Sequence, residues 1–216
     1  MRGDLSVVRW TLRLLALTLL NDAAAAPGLG ASAPAPNSTP VLISECSASL
    51  RVEPIPGKTP TAIGAGYLVG SNVYRVQITN KGAEPITLVE PGDGSDIGWR
   101  TPIVSWRVED ARGPVTPKSG GRCGNINPLH REEVFALRPG ESRDFRFFPF
   151  VWLDQPGSYR LSLTYANRPD LEWRGILLGK HDDEAMRLLR HSTPCLVNSN
   201  TLHLRIPEHG GPPVKP

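Results

Sequence analysis

Apolar and polar residues alternate with a period of two through most of the chain, the pattern of strands buried on one face. Tyr74, Val76 and Ile78 fall on one side and Arg75, Gln77 and Thr79 on the other. Val104, Trp106 and Val108 alternate with Ser105, Arg107 and Glu109. Tyr159, Leu161, Leu163 and Tyr165 oppose Ser158, Arg160, Ser162 and Thr164, and Leu202, Leu204 and Ile206 close the series. Shorter runs predict strands within 41–53, at Ile86–Val89, at Phe135 and Leu137, and at Phe145 and Phe147. Asn80-Lys81-Gly82, Pro139-Gly140 and Pro156-Gly157 supply turn chemistry between them. About seven or eight one-sided strands separated by turns predict an all-β fold, an antiparallel β-sandwich.

One segment breaks the pattern. From Asp183 to His191 the apolar residues Ala185, Leu188 and Leu189 fit one helical face. Asp182 stands where an N-cap belongs and Pro194 ends the element. The expected architecture is therefore a sandwich with one short helix in a late insertion.

The ends of the chain read differently from its middle. Arg2, Arg9 and Arg13 precede the apolar run Leu14–Leu20, and Ala23 to Ala25 offers a small-residue cleavage site, so residues 1–25 read as a signal peptide. The apolar run is far shorter than the roughly 20 residues of a membrane span. Residues 26–40 are small and Pro-rich, expected to be a disordered linker, and 207–216 are likewise expected to be a disordered tail. The sandwich is assigned to 41–206, and the destination is secreted or periplasmic, with no membrane span once the signal is removed. Retention of the signal as an anchor stands as the alternative.

Composition agrees and excludes little else. Twenty-two prolines and 21 glycines in 216 residues suit a turn-rich β protein. The net charge of +3 is spread along the chain, without the basic stripe of a nucleic-acid partner. Of the three cysteines, Cys123 and Cys195 lie in loop-like stretches that can adapt to bridge geometry, whereas Cys46 falls inside an expected strand. The expected disulfide is therefore Cys123–Cys195, worth roughly 4 kcal/mol on the chain-entropy model. Three free thiols are the alternative. No Cys-x-x-Cys pair supports a zinc site.

The order of turns and strands from Tyr74-Arg75-Val76-Gln77-Ile78-Thr79-Asn80 through Leu137-Arg138-Pro139-Gly140-Glu141-Ser142 to Pro156-Gly157-Ser158-Tyr159 resembles bacterial immunoglobulin-like domains of the intracellular-proteinase-inhibitor type. It is also similar to exported bacterial sandwich proteins with no assigned activity. The resemblance covers about residues 70–166 and rests on fold motifs; it implies an immunoglobulin-like sandwich and offers protease inhibition as one function. The segment from Asn167 to Asn200 lies outside it.

Candidate chemistry is sparse. Pro91 to Asp96 sets Asp93 and Asp96 in a Gly-rich loop, a possible calcium-binding group by residue type but more simply a turn. His181, Asp182, Asp183 and Glu184, with His191, suggest a metal cluster by composition; acids at a helix start are also what capping and the helix dipole demand. Neither pattern specifies a metal, and no cofactor is expected. No nucleophile elbow or protease cysteine motif is present, so a hydrolase would need a site that sequence does not reveal. Trp106 is expected in the core and Trp152 at a sandwich edge. Trp99 beside Arg100 and Trp173 beside Arg174 are the candidate binding residues, facing a protein or glycan partner at the cell envelope. An inhibitor would instead present Lys118 or Arg122 from the loop 112–128. The leading expectation is a non-enzymatic binding or accessory protein; the inhibitor and the hydrolase are its alternatives.

Overall fold

A computed structural model describes residues 45–63, 66–93, 103–116, 125–170 and 176–208. The chain separates into Met1–Ser38 and Thr39–Pro216, and every described residue belongs to the second unit. The expected signal peptide 1–25, the linker 26–40 and the tail after Glu208 lie outside the described residues.

The alternating runs become strands, and their apolar sides meet. Strands β1 (Ala48–Pro54), β2 (Thr61–Ile63), β3 (Gly66–Val69) and β4 (Tyr74–Asn80) come first. They are followed by β5 (Ile86–Val89), β6 (Val104–Asp110), β7 (Gly113–Val115) and β8 (Asn125–Ile126). After a 3-10 turn at Arg131–Glu133 come β9 (Val134–Leu137), β10 (Ser142–Asp144), β11 (Val151–Leu153) and β12 (Gly157–Asn167). Strand β13 (Ile176–Leu177), helix α1 (Asp183–Arg190), β14 (Cys195–Asn198) and β15 (Leu202–Ile206) complete the series. The protein is an all-β sandwich with a single helix among the described residues.

One sheet is built on β12. It pairs antiparallel with β6, Leu161 opposite Val108 and Leu163 opposite Trp106, and β7 extends that side. Along its other side β12 takes β14 opposite Thr164–Asn167 and β15 opposite Gly157–Leu161, so these two strands run end to end. The opposing strands are β1-β4-β10, with the pair β5-β9 and the three-stranded β11-β3-β2 beside them. Leu50, Val52, Val76 and Ile78 from β1 and β4 share one core with Val108, Leu161, Leu163 and Tyr165 from β6 and β12. β8 and β13 form a short parallel pair.

Buried polar groups tie the elements together. The fully buried Tyr165 hydroxyl donates to the Val89 carbonyl at 2.7 Å and accepts the Val89 N–H at 3.1 Å, satisfying Val89 on the side of β5 that β9 leaves open. The Asn80 amide donates to the carbonyls of Glu84 and Leu137 and accepts the Gly82 N–H, which fixes the β4–β5 turn against β9. At the start of β12 the Tyr159 hydroxyl reaches back to the Gln155 carbonyl at 2.8 Å, the tyrosine-corner contact of immunoglobulin-type sandwiches. Gly140, at φ 78°, takes the left-handed position of its turn, where a side chain would be strained.

Two expectations are corrected. Cys195 bonds Cys46, not Cys123, with their Cα atoms 4.8 Å apart. Cys46 precedes β1 instead of lying inside it, and β1 enters parallel to β14, with Glu45 bridging Leu196 and Leu50 bridging Ser199. That parallel entry delivers Cys46 to the first residue of β14. Cys123 lies outside the described residues. The expected strand through Phe145 and Phe147 is absent: β10 stops at Asp144, Phe145 and Phe148 point inward, and Phe147 is exposed. The N–H groups of Arg146 and Phe147 turn to the Glu90 carboxylate, at 2.6 and 3.4 Å, and are therefore lost to any ladder.

The tryptophan expectations for the sandwich fit in outline. Trp106 is half-buried against the core, edge-on to Phe148, and its indole N–H donates to the Pro149 carbonyl at 2.6 Å. Trp152 lies in β11 across from Leu68, and a Cβ on Gly66 would stand 2.6 Å from its ring. Only glycine lets that indole lie so close.

Candidate functional site

Trp99, Arg100, Trp173 and Arg174, the residues named from sequence as a binding surface, lie outside the described residues, as do Lys118 and Arg122 of the inhibitory-loop alternative. Three other places bring chemical groups together.

The first is a set of buried carboxylates that hold connecting segments. Glu90 follows β5 and is fully buried; its own N–H donates to the Glu133 carbonyl at 2.8 Å. Burial pushes its carboxyl up from the ordinary value, against the pull of the Arg146 and Phe147 N–H donors and of Arg143, whose Nη2 is 3.7 Å away. Glu133 turns its carboxylate to the His130 N–H at 2.8 Å. Asp93, also buried, accepts the Asn127 N–H at 2.8 Å, while its carbonyl takes the Asn127 side-chain amide. Each acid is spent on backbone N–H groups of a connection; Asp93 does so across 34 residues and not within its own turn, and Gly94 to Asp96 lie outside the described residues.

The second is the start of α1. Asp182 accepts the N–H groups of Glu184 and Ala185, so it is the N-cap that the sequence predicts, with Ala185 and Leu189 buried below. His181 accepts the Leu129 N–H at its Nδ1, 2.9 Å away, and His191 Nδ1 faces the Arg187 carbonyl at 2.8 Å. The two imidazoles serve different backbone groups. Among the described residues no three His, Cys, Asp or Glu side chains gather in a metal-holding group.

The third is a cleft of about 520 Å³ at the open edge of the sandwich. It forms where β1 and the β14–β15 strand part. Up to Ser199 they run side by side; then the Asn200 side chain takes the place of a neighbouring backbone, accepting the Val52 N–H at 2.8 Å and donating to the Val52 carbonyl at 3.1 Å. Beyond it the chain turns through Pro54-Ile55-Pro56, and proline cannot extend a ladder because it carries no N–H. The Ile55 N–H is already given to the Val73 carbonyl at 2.7 Å and the Ile55 carbonyl accepts from Lys58. One wall is thus Pro54, Ile55, Pro56 and Pro60; Val73, Tyr74, Leu202 and Leu204 line the cleft behind it. The opposite lip is the outer edge of β15, which among the described strands is hydrogen-bonded to β12 alone.

Sequence reasoning missed this cleft. Its signal was the Pro-x-Pro turn directly after a strand, which marks where pairing must stop, but the strand left uncovered is distant in sequence.

A scan of protein-family models finds none that matches the chain, and a search of curated proteins finds no match.

Proposed function

We propose that the chain is an exported, non-enzymatic binding domain that engages a protein segment at the cell envelope through the cleft between β15 and the Pro54–Pro60 turn. The observation that carries this reading is the combination in one cleft of an apolar lining and an open strand edge, the two features by which sandwiches hold peptides. Two further points support it. The Cys46–Cys195 disulfide suits an oxidising compartment. Glu90, Glu133, Asp182 and His181 are engaged with backbone groups of loops and caps.

Selection of a displayed random-peptide library against the oxidised protein tests the reading. Enriched peptides are expected to compete with one another and to lose binding at least about tenfold on Ile55→Asp, which places a charge in the apolar wall. Ligands indifferent to Ile55→Asp, or the absence of any, would remove the cleft from consideration.

A further inference from the structure

The charge around this cleft narrows its occupant. β15 presents Leu202, Leu204 and Ile206 inward and His203 and Arg205 outward, both exposed. Arg160 stands directly opposite His203 on β12, and Lys58 sits exposed on the far wall. Two acids on the flanking strands are engaged: Glu109 holds Arg107 and Arg160, and Glu53 holds Arg51 and Arg75. Among the described residues, Lys58, His203 and Arg205 have no carboxylate partner.

We infer that the cleft takes an extended peptide alternating apolar and acidic residues, which adds to the sheet as a strand along β15. Side chains on one face of such a strand recur about every 7 Å, the repeat of His203 and Arg205 beneath them. A carboxylate beside each then makes the opposite-charge lateral pairs that stabilise neighbouring strands, while the intervening apolar residues enter the space between Ile55 and Leu204. Main-chain hydrogen bonds to β15 supply affinity, and the charge pattern supplies selection. A second copy of this chain fits poorly: pairing β15 with β15 would bring arginine and histidine of one copy against those of the other, and like charges across strands repel.

This inference rests on the cleft being the binding site, and its test is separable from that claim. The probes are labelled peptides of alternating valine and glutamate, about eight residues long, a valine–lysine counterpart, and the glutamate peptide N-methylated at alternate amides. Fluorescence anisotropy with the oxidised protein should show binding of the glutamate peptide that weakens with salt. Arg205→Glu, an exposed change that leaves the fold intact by circular dichroism, should reduce it about tenfold or more. N-methylation should do the same, and the lysine peptide should bind Arg205→Glu better than the native protein.

Equal binding of the two charges would overturn the acidic assignment. Binding unaffected by N-methylation would overturn strand addition. If library-selected peptides occupy the cleft while the glutamate peptide does not bind, the inference falls and the proposed function stands. If nothing binds there, both fall and the β15 charges serve only to prevent edge-to-edge association.

Discussion

Glu90 shows how one residue can shape both a connection and its response to pH. Its carboxylate ends the strand expected through Phe147 by taking two N–H groups, and burial raises its pKa above the ordinary 4.5. Between the unfolded and native values the folded state holds more protons, so this residue's contribution to stability falls as pH rises through that window. Glu53, Glu109 and Glu184 act in the opposite sense. Guanidinium hydrogen bonds from Arg75, Arg107 and Arg187 respectively lower their pKa values, so their contributions are present above the unfolded value and lost on acidification. Glu90→Gln keeps an acceptor for the Arg146 N–H and removes the buried charge. Denaturant melts at about pH 4 and about pH 7 should show the variant gaining on the native protein as pH rises. A constant difference across that range would mean that Glu90 does not titrate as its burial requires. The buried Tyr165 hydroxyl is the uncharged counterpart, one atom saturating both backbone groups of Val89.

Among elements, the junction of β1 with the β14–β15 strand carries the most consequence. The Asn200 side chain imitates a peptide group toward Val52, and the cleft opens directly past it. Asn200→Ala leaves a part-buried N–H and carbonyl without their partner, a loss of about 1–3 kcal/mol. Urea denaturation should register it, and hydrogen exchange should show the Val52 amide losing protection while the β12 amides opposite β6 keep theirs. Uniform loss across the sheet would mean that Asn200 acts on the whole fold rather than on this seam. Strands such as β4, β6 and β12 were legible because each buries one face, and a period of two survives whatever the partner strand is. Asp182 was legible too, since a cap depends on neighbours two and three residues away. The Cys46 pairing was not: it follows from β1 lying parallel to a strand near the other end of the chain, which local pattern does not encode. The cleft was hidden for the same reason. Its wall was visible as Pro54-Ile55-Pro56, but its other lip, β15, is some 150 residues on in the sequence. Phe147 misled because alternation alone does not reveal that a distant glutamate will take the backbone N–H groups on which a strand depends.

At the scale of the molecule, the Cys46–Cys195 bond spans a sequence separation of 149 and so encloses most of the sandwich. Closing so long a loop is worth roughly 5 kcal/mol on the chain-entropy model, so reduction should move the urea midpoint well down. Unchanged melting after reduction would show that the bond adds nothing to the folded state. With one pair made among three cysteines, Cys123 has no cysteine of its own chain left to bond. Peptide mapping without reductant should join the Cys46 and Cys195 peptides and leave Cys123 open to alkylation or linked to another chain. The bond also decides how the molecule carries load. Tension applied to the chain before Cys46 and after Cys195 passes through two sulfur atoms and bypasses the chain between them. A tethered molecule would therefore lengthen by peeling β14 and β15 away from β12, while the strands from β1 to β12 stay shielded from the pull. In the reduced protein the whole sandwich would lie in the line of force.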